Sequence, residues 1–305
     1  YGIKSAMPIS KAWQLAEEAR QRGEPETIFL GGQHRLYAEV SRRIMAILGE
    51  NADAPPNFSE GKLRRAGFEE ASIDEAYIEL KAEGLRTKAR DNFWDAAGQF
   101  ALALKAKILE AEGLTCSIGI GPNKLIAKIA SDFQKPDGLT VVRPGEVQGF
   151  LDPMPIRAIP GIGPKGEAFL NTKGIRTIGG LRRIELARLI EWQGKWGEDL
   201  FRKARGISES EVSNEGEVKS IGEQETFEKD TLRAAFILDR ARELVDSVFR
   251  RFREEGFSSF RTVVITVRFH DFETLTRSRT SPKPLATREE LEGEMLRLLL
   301  PFLDR

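Results

Sequence analysis

The sequence predicts two α/β units separated by a small all-α unit, and three observations carry that prediction. Helical and strand-like periodicities alternate through residues 1–142, Gly and Pro punctuate residues 146–206 at short intervals, and a second alternation begins beyond residue 218. For 305 residues, a prior of roughly 150 per domain gives about two domains and leaves room for three or four smaller ones.

The first unit opens with a helix at 9–22, where Ala12, Trp13, Leu15 and Ala16 share a stripe that an Arg-Gly-Glu-Pro breaker ends. Residues 27–30 are predicted as a short strand. Leu36, Val40, Ile44, Ile47 and Leu48 have the spacing of an amphipathic helix over 36–48. Asp53, Pro55, Pro56 and Asn57 mark 51–61 as a turn-rich loop. A β-like pattern at 68–80, an apolar helix at 96–111, a strand at 114–120 and a helix at 123–133 then suggest a βαβ-type layer that closes near Val142. Short helices fill 146–206, separated by Pro-Met-Pro, Pro-Gly-Ile-Gly, Lys-Gly-Ile and Ile-Gly-Gly. Residues 208–217 are rich in Ser and Glu without apolar spacing and are expected to be a linker. A strand at 219–227, a long helix at 232–255, strands at 259–269 and 273–280, and a helix from Arg288 complete the second α/β unit.

Lys plus Arg number 47, as do Asp plus Glu. The balance excludes a uniformly basic coat and an acidic disordered tail, but not a local nucleic-acid footprint. Cys116 is the only cysteine, so an internal disulfide framework and a thiolate metal cluster are excluded. His34 and His270 are too few for a histidine-rich metal site. No apolar run reaches the roughly 18 to 20 residues of a membrane span and no signal peptide opens the chain, so a cytoplasmic protein with no membrane partner is expected. Tyr1 stands where an initiator Met would, and the chain is expected to begin inside a larger protein.

Four motifs invite chemistry. In Ala71-Ser72-Ile73-Asp74-Glu75-Ala76-Tyr77, adjacent carboxylates converge only if the backbone bends, as at a hairpin tip. A divalent cation would relieve their repulsion, and a solvated acidic turn is the alternative. After Ile118, Gly119, Ile120 and Gly121, Asn123 is placed to cap a helix that carries Lys124 and Lys128 on one face. Lys135 emerges where Pro136 stops that helix; these three lysines read either as a phosphate-facing set or as a solvated cationic face. Pro160-Gly161-Ile162-Gly163 joins two short helices, and its glycines, the following helix N-terminus and Lys165 suit a phosphate, although such a turn also simply connects helices. Arg277 and Arg279 share one strand face, either along a phosphate ladder or on a wet sheet surface.

Taken in order, these motifs, with Ala127-Lys128-Ile129-Ala130-Ser131-Asp132 and Lys135-Pro136-Asp137-Gly138, resemble a Y-family translesion DNA polymerase of the DinB or polymerase IV type. The resemblance spans essentially the whole chain. It implies an α/β right-hand polymerase: a fingers remnant at 1–32, a ferredoxin-like palm at 33–147, an all-α helix-hairpin-helix thumb at 148–206, a linker at 207–218 and an incomplete α/β little finger domain at 219–305. The implied chemistry is two-metal phosphoryl transfer by Mg²⁺, with Asp74 and Glu75 as metal ligands and catalytic carboxylates. Lys135 and Ser72 would meet the incoming dNTP. Gly161, Ile162, Gly163 and Lys165 would hold the primer strand, and Ser220, Arg277 and Arg279 the rest of a primer-template DNA. The resemblance further implies a monomer, a sliding clamp bound through a tail beyond residue 305, and an insertion at 51–69. The family's first metal-binding Asp and its steric gate would precede Tyr1. The chain alone is therefore expected to be inactive, with a non-catalytic, sequence-independent DNA-binding module as the alternative reading.

Overall fold

A computed structural model describes residues 1–4, 7–50, 62–83, 90–214 and 218–303. The chain divides into two compact units, Tyr1–Asn214 and Glu215–Arg305. Among the described residues, no helix is long and apolar enough to cross a membrane.

The first unit begins with α1 (Ile9–Gln21) and α2 (His34–Glu50). The strand expected at 27–30 is not formed: the backbone there is irregular, Ile28 and Leu30 are exposed, and among the described residues no strand pairs with it. β1 (Lys62–Glu70) and β2 (Ala76–Glu83) form an antiparallel hairpin whose register shifts once, between Arg65 and Gly67. Of the segment 51–69 read as an insertion, the first part lies outside the described residues and the second is β1. Ile78 and Leu80 turn one hairpin face onto α3 (Arg90–Glu112), against Ala96, Phe100 and Leu104. Beyond this packed face the tip residues 71–74 are exposed.

β3 (Ile118–Ile120), α4 (Lys124–Phe133) and β4 (Leu139–Val141) make a βαβ unit with the strands parallel. The strand predicted from 114 starts only at Ile118. Asn123 caps α4 by accepting from the Ile126 N–H, as its position predicts. Gly119 is required by close approach: a Cβ there would lie 2.1 Å from the Ala127 carbonyl oxygen, so any side chain would push α4 off the strand.

Leu125, Ile126 and Ile129 of α4 share one core with the all-α stretch that follows. That stretch comprises α5 (Val147–Leu151), α6 (Pro164–Thr172), α7 (Ile178–Arg182), α8 (Leu186–Gln193) and α9 (Lys195–Lys203). Ile156, Ile159, Leu170, Ile178, Leu181, Leu189 and Leu200 are fully buried there, and each such side chain contributes about 1.5 to 3 kcal/mol by leaving water. A layer of this kind is built by volume rather than by charge.

The expected linker is partly tied down. Val212 packs on Gly67, the Ser213 N–H donates to Glu69, and the Asn214 side chain accepts from the Glu70 N–H. It lacks apolar spacing because it is held mostly by single polar contacts, through the Ser213 N–H and the Asn214 side chain. In the second unit, α10 (Ala234–Glu254) and α11 (Arg288–Leu303) pack on the antiparallel pair β5 (Phe260–Arg268) and β6 (Thr274–Leu285). The strand expected at 219–227 is not formed. Arg251 and Arg240 instead pin this irregular segment to α10, through Gly222 and Glu223 and through Glu225.

Candidate active site and nucleic-acid interface

The acidic pair lies at the β1–β2 tip, where the chain bends as its spacing requires. The N–H groups of Ala71 and Ser72 both donate to the Glu75 carbonyl, at 2.9 and 3.1 Å, closing the turn. Ser72 Oγ donates to Asp74 Oδ1 at 2.7 Å and orients that carboxylate. From α2, Ser41 donates to the Ile73 carbonyl and anchors the tip from outside. Among the described residues the two carboxylates share no partner: Glu75 Oε1 accepts from Lys128 Nζ at 2.5 Å.

Lys128 also meets Asp132 Oδ2 at 3.2 Å, one turn along α4, and Asp132 Oδ1 meets Lys135 Nζ at 2.6 Å. Glu75, Lys128, Asp132 and Lys135 thus form one chain of alternating charge, which links two predicted site residues, Glu75 at the tip and Lys135 beyond α4, while Asp74 lies next to Glu75 in the turn and outside that chain. Partial burial disfavours the Lys128 ammonium, yet the carboxylates of Glu75 and Asp132 hold its pKa above the ordinary lysine value. Burial likewise works against the Asp132 carboxylate, and Lys135 and Lys128 outweigh it, holding that group below its ordinary value. The loop after Lys135 is held separately. Lys105 of α3 donates to the carbonyls of Cys116 and Asp137 and to the Asp137 carboxylate, fixing that loop.

The solvated cationic face read for Lys124 and Lys128 is corrected. Lys124 is 16 % exposed, pairs with Glu69 at 2.6 Å, donates to the Glu211 carbonyl and lies over the Tyr77 ring. The spacing of Lys124, Lys128 and Asp132 was visible in the sequence. Their partners, Glu69 and Glu75, lie more than fifty residues away, at |i−j| of 55 and 53, where no local signal points.

Among the described residues, no three His, Cys, Asp or Glu side chains converge on a metal position. Two adjacent carboxylates still fit a magnesium ion, a hard cation that takes one or two protein carboxylates and completes its shell with substrate phosphates and water.

The glycine elbow is formed as expected. Gly161 has φ +96°, in the left-handed region that glycine tolerates, and Gly163 caps α6 with Pro164 at its first position. The first-turn N–H groups of Lys165 and Gly166 have no intrahelical acceptors by geometry and aim outward with the positive end of the helix. Ile162 departs from its expected role. It is buried in the all-α core, and its N–H is spent on the Ile159 carbonyl at 3.1 Å. Lys203, which the sequence reading missed, donates to the Pro160 carbonyl at 3.2 Å and holds the elbow from α9.

In the second unit, Ser220 is exposed in the irregular segment. Arg277 and Arg279 share a face, and it is the one turned toward α11. The Arg277 guanidinium lies 4.8 Å from the Phe302 ring centroid, and Arg279 Nε lies 3.2 Å from Glu294. The wet face of the pair is lined instead by Thr262, Thr266, Thr276 and Thr280, bonded in cross-strand pairs.

Profiles of the impB/mucB/samB family match residues 1–132, of its C-terminal domain residues 218–304, and of the IMS family HHH motif residues 144–175. DNA polymerase IV of Methanoculleus marisnigri is 40% identical over 304 residues, covering 100% of this chain and 76% of that protein. The chain belongs to the DinB-type Y-family DNA polymerases. Within this family, DNA polymerase IV of Methanosarcina acetivorans is 36% identical, with 100% and 77% covered. A solved Y-family polymerase chimera containing Dbh segments superposes with a TM-score of 0.78 at 27% identity, covering 100% of this chain and 79% of that one. The insertion ternary complex of Dbh DNA polymerase superposes at 0.62 and 28% identity, over 98% and 79%. The family's right-hand fold agrees with the mixed helices and strands and the helix-hairpin-helix motif described above.

Proposed function

We propose that this member of the DNA-directed DNA polymerases extends primer 3′ ends across damaged template bases by two-metal phosphoryl transfer, in DNA damage tolerance. The observation that carries the reading is the chain of ion pairs that links Glu75, beside Asp74 at the hairpin tip, to Lys135 through Lys128 and Asp132. Asp74 and Glu75 are the residues that would hold Mg²⁺. When bound, the metal supplies charge neutralisation at the attacking 3′-oxygen and the leaving pyrophosphate.

The chain's own residues do the positioning. Ser72 fixes the Asp74 carboxylate by its hydroxyl and lies where an incoming dNTP would pass. Lys135, exposed just beyond the end of α4, offers a point charge to the triphosphate. The α6 N-terminus, with Gly161, Gly163 and Lys165, takes a phosphate of the primer strand through backbone N–H groups, and so without reading bases. In the second unit, Ser220 and the half-exposed Arg277 and Arg279 are the groups proposed for the template strand; Arg279 would exchange Glu294 for a phosphate to do so. Residues 1–32, 33–147 and 148–206 would then serve as fingers, palm and thumb. The polymerase carrying Glu75→Ala is expected to lose primer extension by about a hundredfold to a thousandfold, the scale of a lost electrostatic group in a transition state. Near-normal extension by that variant refutes the assignment.

A further inference from the structure

We propose that Lys128 and Asp132 are positioning residues that couple the nucleotide-facing Lys135 to the catalytic carboxylate Glu75. The inference rests on the roles given above to Glu75 and Lys135 and concerns two residues to which those roles assign nothing.

Lys128 has one positive charge and two carboxylate partners, at 2.5 and 3.2 Å. Asp132 has one negative charge and two ammonium partners, at 3.2 and 2.6 Å. In such a chain each member's hold on one neighbour competes with its hold on the other. A triphosphate that draws Lys135 away leaves Asp132 with Lys128 alone. Lys128 then moves its share of attraction toward Asp132, and Glu75 is released to a cation. Without nucleotide, the Lys128 ammonium neutralises Glu75 and opposes a metal there. Nucleotide arrival thus favours metal entry through the protein as well as through the phosphates themselves.

The mounting of these groups suits the task. Lys128 and Asp132 lie one turn apart on α4, whose Leu125, Ile126 and Ile129 are buried in the core, so both side chains project from a fixed helix. Lys128 is also the most enclosed of the four, 22 % exposed against 40 % for Glu75, 49 % for Asp132 and 53 % for Lys135. The movable end is the outermost lysine, where a nucleotide would arrive. Isolated exposed pairs contribute little, whereas a short, partly enclosed network on a rigid helix is the setting in which charge coupling persists.

The test measures Mn²⁺ binding to the full chain by electron paramagnetic resonance, without DNA or nucleotide, beside thermal melting of each variant. Lys128→Met should tighten Mn²⁺ binding about fivefold, and Asp132→Asn should weaken it about threefold by leaving Lys128 wholly to Glu75. In the double variant Asp132→Asn should have no effect, because it acts through Lys128. Lys128→Gln gives the same reading should Lys128→Met melt early. In primer extension, Asp132→Asn should lower kcat while KM for dNTP stays level or falls. Equal effects of Asp132→Asn in both backgrounds, or no gain from Lys128→Met while Glu75→Gln abolishes binding, overturn the coupling alone. Unchanged Mn²⁺ binding in Glu75→Gln overturns the metal seat and the coupling with it.

Discussion

At the β1–β2 tip the anchors among the described residues are polar: Ser41, Ser72, Lys128 and, further back along β1, Lys124 on Glu69. At the Pro160–Gly163 elbow the main anchors are apolar, with Ile156, Ile159, Ile162 and Leu170 buried in one core and a single lysine on the outside. The hairpin tip leaves even Ile73 exposed and so buries little apolar surface, and its geometry is set by hydrogen bonds that respond to charge. An elbow that offers backbone N–H groups can be rigid by packing alone. Substitutions should therefore separate the two regions, charge changes altering activity at one and volume changes altering stability at the other.

The largest test of that separation is Ile162→Ala. Removing a fully packed side chain beside the elbow is expected to cost about 2 to 5 kcal/mol in chemical denaturation, while Glu75→Ala leaves the melting temperature nearly unchanged. Equal destabilisation by both would erase the contrast. Next comes Glu69→Gln, which leaves the enclosed Lys124 ammonium facing a neutral amide and is expected to cost about 1 to 3 kcal/mol at neutral pH. Burial opposes the Glu69 carboxylate, but Lys124 and the Ser213 N–H hold it below the ordinary value of 4.5. Its contribution is therefore fully present above that value and is lost as pH falls through the lowered one. Denaturant melts of parent and variant should converge in acid, and a constant gap from pH 7 to pH 3 would exclude the pair as its source. The smallest effect is expected from Lys165→Ala. It should weaken duplex binding a few-fold and flatten the slope of log affinity against log salt by about 0.9, uniformly across DNA sequences. A sequence-dependent loss would mean that the elbow reads bases.

Much of the architecture was legible. The α4 cap at Asn123, the bend at Ser72–Glu75, the left-handed Gly161 and the breakers between the short helices each depend on residues within a few positions of one another. Failures came where a local pattern met a remote partner. Residues 27–30 and 219–227 have strand-like composition, but strand formation needs a neighbour to accept its hydrogen bonds, and none lies beside them among the described residues. Arg277 and Arg279 had the predicted two-residue period. Which face of the sheet α11 would cover could not be read from that period, and the structure places the arginines on the α11 side.

By itself, then, the sequence determined which side chains are available and how the chain turns next to them: the acidic tip, the capped α4 helix, the glycine elbow and the order of the units. Tertiary structure alone decided the pairings, Lys128 with Glu75, Lys124 with Glu69 and Ser213 with the same carboxylate, across more than fifty residues each. The physical reason is range. Caps, bends and periodicity arise from backbone geometry over a few residues, whereas a charge selects its partner by distance in space, which exists only once α3 and the core have set the hairpin against α4.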